Sequence, residues 1–434
     1  MSADSPNIVL VSIDSLRGDH CGFLGDDRGL TPTMDRLAEE GVAYNNAVAP
    51  GPQTFSSMPS VFTGRARPPT TLETYPQESH WERRLAAIDD HLARNASLAE
   101  RLRDRGYETA AVTPNPWTST ASGFDRGFDQ FVDCSETGEG SLLRRIAERV
   151  PGLDTDTRAV ELVLNMVSGS EFFSQWETLY DDIERAREQL SEPYFLWVFI
   201  LDTHYPFIAS RAHRREQTLL GSYYNTYRSS DPMRGNGGEL SSRVRESMGR
   251  SYRDTVRASD AFVERLHSDL AADDPVLVVH SDHGESFGEH GNYGHHHREV
   301  YEENVHVPYF VHNAGVSADI DEPTSLTTVY DTALTIARDG TFDPGDTTQP
   351  SVVASSECGR NETMRGERFK RVELDDERLL FDLERDPDEL SDVTGTYPQH
   401  ATELDHRLRR HERHTTETNR IHQATRLLAA REHL

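Results

Sequence analysis

The chain has 434 residues, 35% of them hydrophobic and 27% charged, a composition that suits a soluble globular protein with more than one lobe. With 45 Lys+Arg against 74 Asp+Glu the formal net charge is −29. Such a charge repels nucleic-acid phosphates and anionic lipid headgroups, which sets aside nucleic-acid and membrane-surface roles.

In chain order, residues 7–13 (NIVLVSI) form an apolar, Val- and Ile-rich run of the kind buried on both faces of a sheet. Thr31-Pro32-Thr33 then caps a helical stretch from Met34 that stops at Gly41. Residues 43–48 read as a strand, and after Pro50-Gly51-Pro52 a short helix starts at Thr54 and runs to Thr63. Residues 98–105 predict a helix closed by Gly106, and 108–112 a strand. Residues 136–192 are charged and helical in pattern, a cover for the sheet, and 194–201 (YFLWVFIL) is the strongest buried strand in the sequence. One or two helices over 244–273 precede strands at 276–280 (VLVVH) and 307–312. Alternating strands and helices predict an α/β fold: a mostly parallel central sheet with helices on both faces, over residues 1–350. Residues 351–434 change texture. Strand-like pieces over 364–382 and a charged helical tail from Pro398 predict a small antiparallel sheet and helices forming a C-terminal subdomain.

Lys370 is the only lysine. An acid-rich, lysine-poor chain resembles proteins of salt-loving archaea, where ionic screening blunts self-repulsion. Cys21, Cys134 and Cys358 make neither a metal spacing nor a disulfide framework, which favours a reducing compartment. The opening MSADSPNIVLVSIDS has no basic leader and no stretch reaches membrane-spanning length, so a cytoplasmic protein is expected.

Ligands of open α/β sheets gather at the carboxyl ends of strands. Three predicted strands end in suitable residues: Asp14, then Asp202 with His204, then Asp282-His283-Gly284-Glu285. An Asp or His at each of several separate strand ends is what a metal site requires, because its ligands must converge from distant sequence. Singly none is decisive, since a lone Asp serves as a cap or turn residue and His204 as a loop histidine, while the Asp282-His283-Gly284-Glu285 run is the stronger signal. Thr54 is a candidate nucleophile, since a hydroxyl at a helix start sits in positive potential and a metal can activate an alcohol. It is equally an ordinary N-cap residue.

These pieces resemble the sulfatase family of the alkaline phosphatase superfamily. The matching motifs are IVLVSIDSLRGDH, TPTMDRLAEEGVAYNNAVA leading to Thr63-Gly64, Gly106-Tyr-Glu-Thr-Ala-Ala-Val, His204-Tyr-Pro-Phe, SDHGESFGEHGNYGH with YEENVHVPYF, and the closing LLFDLERDPDELSDV. The resemblance implies that Asp14, Asp282 and His283, with Thr54, hold a divalent metal. Hard oxygen ligands favour Ca, Mg or Mn, and His283 also admits Zn. It implies too that His204 and a histidine of the 295–297 run bind or protonate ester oxygens. His296 is favoured by its distance from Val307-Pro308, with His295 and His297 as rivals.

The departures matter as much. A typical sulfatase carries Cys-x-Pro-Ser-Arg, whose Cys becomes formylglycine. Here Thr54 stands at the Cys position and Met58 at the Arg. Both family lysines are missing, Thr113-Pro-Asn115-Pro replacing the segment of one, and Ser15 follows Asp14 where many members have a second Asp. A threonine nucleophile is similar to the phosphodiesterase and phosphotransferase branches, in which Asn115 would bind a non-bridging ester oxygen. Asp202 with His204 and a later His would be the ligands of a second metal, though one metal fits the motif positions better. The leading expectation is therefore hydrolysis of a small-molecule or glycan sulfate or phosphate ester by metal-bound Thr54. The alternatives are a phosphodiesterase or phosphotransferase on sugar or glycan phosphoesters, and a non-catalytic binding protein that keeps the fold.

Overall fold

The run at 7–13 becomes the central strand β1 (Ile8–Ile13) in a computed structural model that describes residues 5–70, 79–135, 175–295, 300–375 and 377–432. The other strands of its eight-stranded sheet are β2 (Val42–Tyr44), β3 (Glu108–Thr113), β4 (Gln130–Asp133), β5 (Tyr194–Ile200), β6 (Val276–Ser281), β7 (Tyr309–His312) and β8 (Ala318–Ile320). Their spatial order is β8-β2-β7-β6-β1-β5-β3-β4. Only β7 runs against its neighbours, so the sheet is mostly parallel, as the alternating pattern predicts.

Successive side chains of a strand point to opposite faces, and β1 is buried on both. Val9, Val11 and Ile13 pack with Leu37, Tyr252 and Phe262 from the helices Pro32–Glu40 and Ser242–Asp269. Ile8 and Leu10 face Phe62, Leu92, Leu102 and Ile336 from the helices Thr54–Thr63, His80–Arg94, Leu98–Arg103 and Thr328–Asp339. The helix Trp176–Glu188 joins the first face, whereas the rest of the predicted helical cover, 136–174, lies outside the described residues.

Two readings of the sequence need adjusting. The strand expected over 43–48 is two pieces, because Asn45 donates its amide to Ile320 and Asn46 supports Thr324, which leads Ala47–Val48 into a separate two-stranded sheet. The helix His80–Arg94 was not anticipated. A Ser79–Glu82 capping box starts it, and Ala87, Ile88, His91 and Leu92 form its buried face.

A four-stranded antiparallel sheet (Ser351–Ser355, Glu362–Gly366, Phe369–Leu374, Glu377–Asp382) follows, as expected for the C-terminal region. Its Met364 and Leu380 pack with Ala401, Leu404 and Leu408 of the long final helix, Pro398–Glu432. No helix among the described residues is long and apolar enough to cross a membrane.

Candidate metal and ester site

Strand register brings the site together. Ile13 of β1 lies beside Ile200 of β5 and Ser281 of β6, so the three strands end level and the next residues share one edge. Asp14 continues this edge by donating its amide to Ile200, and Asp282 by donating to Ile13. Ser15 then takes a positive φ of 61°. That turn aims its amide at Asp282 Oδ1 (3.2 Å), and its hydroxyl donates to Asp14 Oδ1 (2.9 Å). Gly284 is required because a β-carbon there would meet the Glu303 carbonyl oxygen at 2.0 Å.

Asp14, Asp282 and His283 are all fully buried, and one ligating atom from each lies within 4.8 Å of the others. His283 Nδ1 donates to the Gly284 carbonyl (2.8 Å), which leaves Nε2 with a lone pair directed at Asp14 Oδ1 (3.6 Å) and Asp282 Oδ2 (3.5 Å). Burial, reinforced by His295, pushes the His283 pKa down to about 3, so the ring is neutral. Burial would raise the Asp14 carboxyl, but His204, His283 and His295 outweigh it and hold it below its ordinary value. Burial and the Asp14 charge push Asp282 well up.

The fit to a divalent cation rests on this imbalance. Asp282 Oδ2 is buried without a hydrogen bond of ordinary geometry, beside a second carboxylate and a neutral imidazole lone pair. Two buried carboxylates sharing a site are costly unless a positive charge sits between them. Two hard oxygens and one imidazole suit Ca, Mg, Mn or Zn.

Thr54 opens its helix at N1, and the N-cap is Gln53, so the Thr54 hydroxyl is not spent on capping. Its Oγ1 instead lies 3.3 Å from His283 Nε2, 3.4 Å from Asn115 Nδ2 and 3.5 Å from Asp14 Oδ2. These are three long contacts rather than one short bond. Asn115 caps a turn by accepting from the Trp117 amide with Oδ1 (2.9 Å), which fixes Nδ2 as the donor to Asp14 Oδ2 (2.7 Å). Met58, at the position of the family's arginine, lies in the apolar core.

Three imidazoles stand together here. The His295 ring is 4.6 Å from that of His283 and 5.0 Å from that of His204. His204 Nδ1 donates to the Tyr205 carbonyl (2.6 Å). His295 Nδ1 pairs with the fully buried Glu285 at 3.0 Å. Burial would lower the His295 pKa, but Glu285 and Asp14 raise it above its ordinary value. His296, the favoured member of the run, falls outside the described residues with His297, and of the three His295 is the one described. Asp202 accepts from the Trp176 amide (3.1 Å) and so tethers a helix start. Among the described residues only Asp14, Asp282 and His283 form a metal-like group.

Sequence reasoning passed over two contributors. Glu285 was visible in the Asp-His-Gly-Glu run, but its partner was not. Arg84 lies in the unanticipated helix, its guanidinium 3.9 Å from the centroid of the Phe55 ring, next to Thr54.

Fold and site together define an α/β protein with a buried Asp14-Asp282-His283 cluster at the carboxyl edge of its sheet. The chain belongs to the sulfatase family, whose model, described as Sulfatase, matches residues 6–339. Human iduronate 2-sulfatase is 25% identical over 74% of this chain, which spans 62% of the human protein's length. Among solved structures, the phosphonate monoester hydrolase of Agrobacterium radiobacter superposes with a TM-score of 0.64 at 18% identity, covering 94% of this chain and 96% of that one. A 2-O GAG sulfatase does so with a TM-score of 0.63 at 16% identity, covering 96% and 94%. At such identities the structural likeness establishes the fold alone.

Proposed function

We propose that the protein is a metal-dependent hydrolase of sulfuric or phosphoric esters with Thr54 as nucleophile. The observation that carries this reading is the Thr54 hydroxyl, left out of capping and set among Asp14, Asn115 and His283. Asp14, Asp282, His283 and the Thr54 hydroxyl are the donor set for a divalent cation. When bound, such a cation supplies Lewis acidity and a lower pKa for a neighbouring hydroxyl.

Thr54 Oγ attacks the sulfur or phosphorus in line, forming the Oγ–S or Oγ–P bond as the bond to the leaving alcohol oxygen breaks. The hydroxyl proton leaves to solvent or to a neighbouring base. Asn115 Nδ2 donates to a non-bridging oxygen. His295, kept protonated by Glu285, transfers its proton to the departing alcohol, and His204 neutralises charge on the ester oxygens. Water then cleaves the threonine ester, and the neutral His295 takes its proton. With an acceptor alcohol in place of water the same residues give a transferase.

Relatives named for sulfate esters and a structural neighbour named for phosphonate monoesters support both elements as substrates. The missing cysteine favours phosphorus, because Thr54 cannot become the aldehyde that sulfatases use. The acidic, lysine-poor surface is read as an adaptation to the cytoplasm of a salt-loving archaeon. The test is a paired rate measurement on para-nitrophenyl sulfate and bis-para-nitrophenyl phosphate in high salt with Mn, Ca or Zn. Turnover of at least one is expected, and inertness toward both with every metal contradicts the proposal.

A further inference from the structure

The wall beside Thr54 is built from rings and one cation. Phe55 touches Trp117 (centroids 5.2 Å apart), and Trp117 lies 4.0 Å from Trp81, which is 47% exposed. Trp117 belongs to the turn capped by Asn115, so these rings lead from the floor of the site to solvent. Trp81 and Arg84 are three residues apart on one helix and share a face.

Arg84 is held in place. Glu357, in the turn between the first two strands of the C-terminal sheet, accepts from its Nε (3.0 Å) and Nη2 (2.7 Å). The guanidinium lies over Phe55 at 3.9 Å, and its side chain keeps 15% exposure. Among the described residues no hydrogen bond uses Nη1. A guanidinium gripped along one edge and laid flat on a ring keeps its remaining edge for an oxyanion. Its positive charge reaches His295, the residue assigned to the leaving group.

We propose that Arg84, Trp81 and Trp117 form the subsite for the alcohol portion of the ester, and that it takes a ring-shaped alcohol carrying a second negative charge. This rests on the ester-centre reading above and adds the class of leaving group. The ring stacks on the tryptophans, and the extra anion meets Nη1 of Arg84. Glu357 is the positioning residue that fixes the guanidinium.

The test is calorimetric binding to metal-loaded Thr54→Ala protein, which cannot turn the ligand over, with phenyl sulfate and 4-carboxyphenyl sulfate and the matching phosphates as probes. The carboxylated ring is expected to bind about tenfold more tightly, the worth of a charge-assisted hydrogen bond. Adding Arg84→Gln should remove that advantage, and Arg84→Lys, which keeps the charge but not the fork to Glu357, should keep part of it. Trp81→Ala should weaken both ligands without changing their ratio. If Arg84 were only a strap to the C-terminal sheet, Gln and Lys would lower Tm alike and leave the ratio intact, overturning the inference. An advantage below twofold in the parent protein would also overturn it. A wild-type protein that hydrolyses none of the four esters yet keeps the carboxylate advantage would count against the nucleophile reading and support the subsite.

Discussion

Asp14 with Asp282, and Glu302 with Glu389, are two pairs of carboxylates, all buried except the partly exposed Glu302, that meet the same physical problem differently. At the C-terminal sheet the chain supplies its own counter-charge. Lys370, fully buried, lies 2.9 Å from Glu302 and 3.0 Å from Glu389, and Arg365 adds a second cation at 3.6 Å from Glu302. At the sheet edge the only ion-pair partner among the described residues is His283, at 3.5–3.6 Å, and its imidazole is neutral. Leaving buried charge uncompensated costs several kcal/mol, and this contrast between the two pairs is what supports the cation proposed for the second. The lone lysine of the sequence is spent on structure, and the candidate site does without one.

The sharpest way to break this comparison is at the nucleophile. Thr54→Ala should lower kcat by roughly 10⁴-fold, about 5.5 kcal/mol, with an unchanged circular dichroism spectrum. Retained turnover would show that Thr54 is a bystander to the carboxylates. Next in size, Lys370→Met should cost about 3–5 kcal/mol of stability, read from the urea midpoint at pH 8, because it strands two carboxylates. Burial, offset in part by Lys370, already pushes Glu389 to about 7. An acid raised in the folded state destabilises the fold as pH rises from its unfolded value toward that number. The Lys370→Met deficit should therefore shrink at pH 6, and a deficit independent of pH would argue for lost packing instead.

His295→Gln sharpens the division of labour among the imidazoles. It should cost roughly 10²-fold in kcat for esters with poor leaving alcohols and little for para-nitrophenolate, which needs no proton. Equal losses on both would make His295 a binding residue. The smallest effect lies away from both clusters. His91, buried against Thr63 at 2.8 Å, has its pKa lowered to about 3 by burial and by Arg67 and Arg94. The folded state then refuses a proton that the unfolded chain takes up below about 6.5. Stability should fall by about 1.4 kcal/mol per pH unit between roughly pH 6 and 4 on this account, and His91→Gln should flatten that slope by one proton.

Much of the site was legible because it sits at strand ends. Asp14, Asp202 with His204, and Asp282-His283 follow apolar runs whose burial demands a sheet, and parallel strands in register deliver their next residues to one edge. Position at a strand end does not separate a ligand from a tether, however, and Asp202 turned to the Trp176 amide. His296, favoured by its distance from Val307, lies outside the described residues. The pairing with Glu285 brings His295 in, and that contact is tertiary. Arg84 was missed for a related reason. Nothing local marks it as a site residue, because its orientation depends on Glu357, 273 residues away. The reversed strand β7 escaped notice because an apolar run does not state its direction.

The most direct measurement is the metal content of purified protein and its Asp282→Asn variant, after dialysis against a chelator and reloading with Mn, Ca or Zn. One divalent ion per chain should bind the wild type, raise its Tm and support turnover, and the variant should hold none under the same conditions. A wild type that binds no ion, with a Tm indifferent to metal, would contradict the claim that Asp14, Asp282 and His283 form a cation site.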